Sequence, residues 1–127
     1  MGEIRMKTLG IGIMTKDNPD ELAINLSHHV PYLTSLGIPV YVFDNSEHTD
    51  NSELMKQYNG VIYHKQPTPL SYDDHFVYAS ESVQEDYVWI LGYKLKICVG
   101  TIPFIGDFIQ RQDFSALSIG FGLRTAF

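Results

Sequence analysis

The sequence predicts an α/β domain built on a mostly parallel sheet with helices on both faces, and three observations carry that prediction. Short apolar or β-branched runs alternate with segments of helical periodicity, in the order strand, helix, strand, helix, strand, helix, strand. The second and fourth strand segments are almost continuously hydrophobic, as strands covered on both sides are. Of 127 residues, 44% are hydrophobic and 13% aromatic against 19% charged. That composition supplies a core, excludes disorder, and gives one domain, residues 1–127.

Taken in order, Thr8 to Thr15 (TLGIGIMT) places Leu9, Ile11 and Ile13 at alternate positions and stops in a polar cluster, the pattern of a buried first strand. Asn18 then stands as an N-cap, Pro19 at the first helical position, and Glu21 where a capping box wants it. Leu22, Leu26, Val30 and Leu33 draw one apolar stripe, which Pro31 is expected to kink or end near Val30. After Gly37, Ile38 to Phe43 reads as a central strand, and Asp44 to Asp50 as a polar loop. Asn51 to Tyr58 reads as a short helix capped by Asp50, and Val61 to Lys65 as a third strand. Tyr72 to Glu85 sets Phe76, Ala79, Ser80 and Val83 on one helical face, and Tyr87 to Leu91 is the most hydrophobic strand. Right-handed crossovers connect such parallel strands. Beyond Gly92, Ile102 to Gln112 reads as a helix with Pro103 in its first turn, and Phe114 to Phe121 as a last strand.

Charge and cysteine content narrow the partners. Nine Lys plus Arg against fifteen Asp plus Glu leave a net charge of -6 with no basic run, which argues against nucleic acid. The single cysteine, Cys98, closes no disulfide within the chain, and a reducing cytoplasm is the expected location. No apolar run approaches the roughly 20 residues of a spanning helix, and the N-terminal stretch shows no cleavage signal, so neither a membrane span nor export is expected.

In an open parallel sheet, ligands bind beyond the carboxyl ends of the strands, where the strand order reverses. The residues to inspect are therefore Thr15, Lys16 and Asp17 after the first strand, Asp44, Asn45 and Ser46 after the second, and Gly92, Tyr93 and Lys94 after the fourth. A helix starting at Asn18 would aim free N–H groups at the same crevice, a favourable place for a diphosphate. Polar residues after strands also serve simply as turns.

Four segments carry a family resemblance: IMTKDNPDEL, VYVFDNSEHTD, LSYDDHF and EDYVWILG. In order and spacing they resemble the N-terminal half of family 2 glycosyltransferases, over roughly Lys7 to Gly92. The resemblance implies a GT-A, Rossmann-like fold, here in incomplete form, that binds a nucleoside-diphosphate sugar such as a UDP-sugar. It implies transfer of the glycosyl group to an acceptor hydroxyl. By the same resemblance Thr15 lies beside the base and ribose, Asp44 accepts a hydrogen bond from uracil, and Asp73 opens the helix beneath the nucleotide. Lys16, Asn45 and Gly92 complete the implied nucleotide-binding set. Asp73 also has the simpler reading of that helix's N-cap.

The sequence departs from the family's pattern at two points. Where the family carries an Asp-rich triplet that holds Mg or Mn against the diphosphate, this chain reads Gly92-Tyr93-Lys94-Leu95-Lys96. Two lysines there supply positive charge directly, or are solvated surface residues. Lys16 stands where the family often has an aromatic residue stacked on the base. The catalytic base of the family lies in its later half, so no catalytic residue is assigned. The alternative readings are a non-catalytic nucleotide-binding or self-associating module, and a flavodoxin-like phosphate binder.

The remaining chemistry-bearing residues give weaker signals. His28 and His29 point in different directions on one helix, and His64 and His75 need a further donor to hold a metal. Cys98 reads as a small buried hydrophobe. The apolar tail after Ile97 and an open sheet edge predict a homo-oligomer.

Overall fold

The computed structural model describes residues 6–92, 96–98 and 100–111. Eight elements follow one another: β1 (Leu9–Thr15), α1 (Pro19–Ser35), β2 (Val40–Asp44), α2 (Ser52–Met55), β3 (Ile62–Lys65), α3 (Tyr72–Ser82), β4 (Tyr87–Gly92) and α4 (Thr101–Arg111). The strands form one all-parallel sheet in the order β3-β2-β1-β4. The chain moves outward from β1 to β3 and then crosses back to place β4 on the other side of β1. The strand order therefore reverses between β1 and β4, the position where this architecture opens a crevice.

Alternation along the strands separates two unlike faces. Ile11, Ile13, Val40, Val42 and Leu91 point to one side, where Leu22, Leu26 and Leu33 of α1, Met55 of α2 and Ile102 of α4 complete an aliphatic core. The other side holds Met14, Tyr41, Phe43 and Ala79 of α3, edged by Tyr78, Val83 and Ile90. Two glycines in β1 make the second layer possible. A Cβ on Gly12 would sit 3.0 Å from the Phe43 ring and 3.3 Å from Ile90, and one on Gly10 would sit 3.2 Å from the Tyr41 ring. With no side chain there, Tyr41 and Phe43 stack at 5.8 Å across the space beside β1, and the Tyr41 hydroxyl donates to Glu85 at 2.7 Å.

Helix ends depart from expectation in informative ways. Asn18 takes the N-cap position of α1, but its side chain donates to the Lys16 carbonyl at 2.6 Å and caps nothing, so no capping box forms. Pro31 neither ends nor shortens α1, which continues to Ser35. Pro31 lies on the exposed side while Leu33, two residues further on, is fully buried, and that burial holds the last turn in place. α2 is only four residues long, and Asp50 acts one residue early, accepting from the Ser52 N–H and hydroxyl. α3 is capped by Ser71, whose hydroxyl accepts from the Asp74 N–H; Asp73 is an exposed first-turn residue. The buried face of α3 is His75 and Ala79, and Phe76, predicted to share the apolar face with Ala79, is 42% exposed.

α4 is tied to the opposite end of the sheet, where Gln110 both accepts from the Lys7 N–H and donates to the Lys7 carbonyl. Cys98 is exposed, against the expectation of burial. The predicted last strand, Phe114 to Phe121, together with Tyr93 and Lys94, lies outside the described residues. Among the described residues no helix is long and apolar enough to cross a membrane.

Candidate functional site

A cavity of about 420 Å³ opens at the carboxyl end of the sheet, where β1 and β4 part and α3 begins. Its volume falls within the range of small-molecule sites. Met14, Thr15, Ile90 and Gly92 form its floor from the two strands, Tyr72, His75 and Phe76 one wall from α3, and Asn45 and Leu70 another. Lys16, exposed, stands among the lining residues just after β1. Apolar and aromatic surface thus surrounds a few polar groups at the topological switch point.

The loops framing the cavity are fixed by a chain of hydrogen bonds. Asp17, the one described non-glycine residue with positive φ (54°), donates its N–H to the Ser46 hydroxyl, and its carboxylate accepts from the Glu47 and His48 N–H groups. Asp tolerates this backbone because its short side chain satisfies neighbouring amides. The His48 amide is the main reason its acidity is strengthened, and burial opposes the effect. Asn45 locks the wall on the other side: its side chain donates to the Leu70 carbonyl and accepts from the Leu70 N–H, both at 2.8 Å. The β1 and β2 loops are thereby joined, and the segment leading into α3 is held against β2.

The sequence-predicted residues divide according to which side of the sheet they face. Thr15, Lys16, Asn45 and Gly92 are brought together around the cavity, although the Thr15 side chain follows Ile11 and Ile13 in the alternation, in register with Asp44, and so turns toward the aliphatic side. Asp44 is not among the lining residues. It follows Val40 and Val42 in the strand alternation and so turns toward the aliphatic side, fully buried. There its carboxylate accepts from the Ser46 N–H at 2.9 Å, the Asn51 side chain at 2.9 Å and the Tyr63 hydroxyl at 2.5 Å. Burial alone would raise its pKa, but the donors from Ser46, Tyr63 and Asn51 outweigh burial and hold it below the ordinary carboxylate range. Asp73 is exposed and also stands apart from the lining. A Cβ at Gly92 would meet nothing within 4 Å, so packing does not require glycine there.

His75 is the residue at this site that strand-end reasoning misses. It is 2% exposed, and its Nε2 is buried with no hydrogen-bond partner. The Thr15 hydroxyl is likewise buried and without a partner. Burial lowers the His75 pKa; Asp44 opposes that shift and Lys16 adds to it. The ring is therefore neutral near pH 7. The signal in the sequence was its position four residues before Ala79, which puts both on the sheet-facing side of the helix.

Among the described residues the cavity lining contains no carboxylate, only neutral groups and one lysine, a donor set that does not suit a hard divalent cation. Among the described residues no group of three or more His, Cys, Asp or Glu converges as a metal site. His64 instead pairs through Nδ1 with the Tyr78 hydroxyl at 3.0 Å within the aromatic layer.

Fold and cavity together define a parallel α/β domain with a Rossmann-like order of strands and a cavity at its switch point. Compared with known protein families and with curated proteins, the chain matches none.

Proposed function

We propose that this domain binds a nucleoside-diphosphate sugar, with the nucleoside in the cavity between β1, β4 and α3, in service of glycosyl transfer to an acceptor hydroxyl. The observation that carries this reading is the place and lining of the cavity: it lies beyond the carboxyl ends of β1 and β4, at the reversal of strand order, with Lys16 and Asn45 among largely apolar and aromatic residues. Tyr72 and Phe76 offer ring surface to a planar base. Lys16 supplies positive charge where a diphosphate would leave the pocket, and the α1 N-terminus beyond it has no side-chain cap. The resemblance of four segments to family 2 glycosyltransferases supports the same class of ligand.

Isothermal titration with UDP, UDP-glucose and UDP-N-acetylglucosamine, each with and without Mn²⁺, tests the proposal. Saturable binding of the uridine nucleotides that weakens in Lys16→Ala supports it. Absence of heat with every nucleotide overturns it and leaves the self-associating module. Binding without release of UDP from the sugar nucleotide in the presence of acceptors favours the non-catalytic variant of this reading, which the lysines in place of an acidic triplet after β4 already recommend.

A further inference from the structure

We propose that this domain holds the diphosphate of its nucleotide without a divalent cation, the Lys16 ammonium standing in for the Mg or Mn that the resemblance to family 2 glycosyltransferases implies. The inference rests on the preceding proposal that the cavity takes a nucleotide. Its ground is the donor set. Hard divalent ions at phosphate sites are held by carboxylates together with phosphate oxygens and water. Among the described residues no carboxylate lines the cavity.

The carboxylates at this end of the sheet are engaged elsewhere or stand outside the lining. Asp17 accepts from the Glu47 and His48 N–H groups, and Asp50 from the Ser52 N–H and hydroxyl. Asp44 is buried on the aliphatic side, with Ser46, Asn51 and Tyr63 as its donors. Asp73 and Asp74, in the first turn of α3, are exposed and line no part of the cavity. The neutral groups are no better placed as metal ligands. The Asn45 side-chain oxygen already accepts from the Leu70 N–H, and Thr15 Oγ1 and His75 Nε2 are closed off by burial. The residues that follow Gly92 in the sequence, Tyr-Lys-Leu-Lys, contribute no carboxylate either.

Positive charge is what the lining does offer. Lys56 is paired with Glu53, and the Lys65 ammonium donates to the Ser46 carbonyl. Lys16 lines the cavity, is exposed, and enters no ion pair among the described residues. Its charge is felt at the neighbouring His75 ring. An ammonium is a compact charge with three donors on a flexible stem, so it answers phosphate oxygens without the fixed geometry a metal demands.

Titration calorimetry of the intact chain with uridine, UMP and UDP, each in excess EDTA and in excess Mn²⁺, tests the proposal. In EDTA the wild type is expected to bind UDP about tenfold more tightly than uridine, and added Mn²⁺ should not tighten UDP beyond about threefold. Lys16→Ala should remove most of that tenfold advantage while leaving uridine within about twofold, and Lys16→Arg, which keeps the charge, should retain it. Lys16 is exposed, so neither variant threatens the fold. UDP binding that appears only with Mn²⁺ overturns the inference and leaves nucleotide binding standing. So does UDP that binds no more tightly than uridine, or a UDP advantage that Lys16→Ala leaves intact. If no ligand binds in either medium, the inference falls together with the reading beneath it.

Discussion

The two faces of the sheet each bury a histidine, and the two residues are treated in opposite ways. On the aliphatic side His29 of α1 is 1% exposed with both ring nitrogens engaged. Its Nε2 accepts from the Ile97 N–H at 2.8 Å, which fixes the proton on Nδ1, and Nδ1–H donates to the Asn25 side-chain oxygen at 2.7 Å. His29 therefore fastens the segment after β4 to α1. On the cavity side His75 is equally buried, yet its Nε2 meets nothing. A histidine whose hydrogen-bonding capacity is used up holds structure together, whereas one left short carries an unmet desolvation cost. Burial alone does not separate the two cases; the count of partners does.

The sharpest way to break this contrast is at Asp44, which belongs with His29 on the saturated side. Asp44→Ala strands the Asn51 amide, the Tyr63 hydroxyl and the Ser46 N–H, and should cost about 3–5 kcal/mol in urea unfolding. A loss below about 1 kcal/mol would mean that the Asp44 network is not structural, and would return the residue to candidacy as a ligand contact. The Asp44 carboxylate is held below its ordinary range, so its contribution is present above that range and is lost as pH falls through the folded value.

His29 gives the next effect, and its pH window lies higher. Burial first, then the adjacent His28, lowers its pKa from 6.5 to about 4. Between these values the unfolded chain holds a proton that the folded chain refuses. Stability is therefore complete above pH 6.5 and declines on acidification toward pH 4, by at most about 3 kcal/mol. His29→Gln should flatten the profile of melting temperature against pH in that interval. An unchanged slope would show that another group governs it.

Gly12 tests the opposite face at intermediate size. With Phe43 3.0 Å and Ile90 3.3 Å from the point a Cβ would occupy, Gly12→Val should cost about 2 kcal/mol through overpacking of the aromatic layer. A neutral result in thermal unfolding would show that the Tyr41 and Phe43 stack yields more readily than its contacts indicate.

Much of this organisation was legible in the sequence, and the places where it was not share one cause. Hydrophobic runs located β1 to β4 within a residue or two, because a strand covered on both sides can hardly be written any other way. Strand ends also located Thr15, Lys16, Asn45 and Gly92 at the end of the sheet where the cavity opens. What strand ends do not provide is the face. Asp44 and Asn45 are adjacent, yet alternation sends the first into the aliphatic side and the second to the cavity wall, and counting back to Val42 and Val40 would have separated them. The phase of α3 was harder to read, since a helix with few aliphatic residues leaves its buried side to be set by the aromatic layer it meets. Capping failed for a local reason: Asn18 found a closer acceptor in the Lys16 carbonyl, and Ser71, one residue before the first helical position, served α3 ahead of Asp73.

The smallest expected change in stability is also the one that most sharpens the contrast between the two histidines. His75→Phe removes a buried nitrogen that has no partner and keeps the ring against Ala79 and the cavity wall, so the folded protein should lose nothing and gain up to about 1 kcal/mol. The corresponding His29→Phe deletes two hydrogen bonds, leaves the Ile97 N–H unanswered, and should lose about 2–4 kcal/mol. The two substitutions are chemically identical and the two sites are equally buried, so the difference between them in urea unfolding isolates hydrogen-bond satisfaction from burial. Equal losses would mean that His75 carries a structural partner after all, and that satisfaction of hydrogen bonds does not distinguish the two sites.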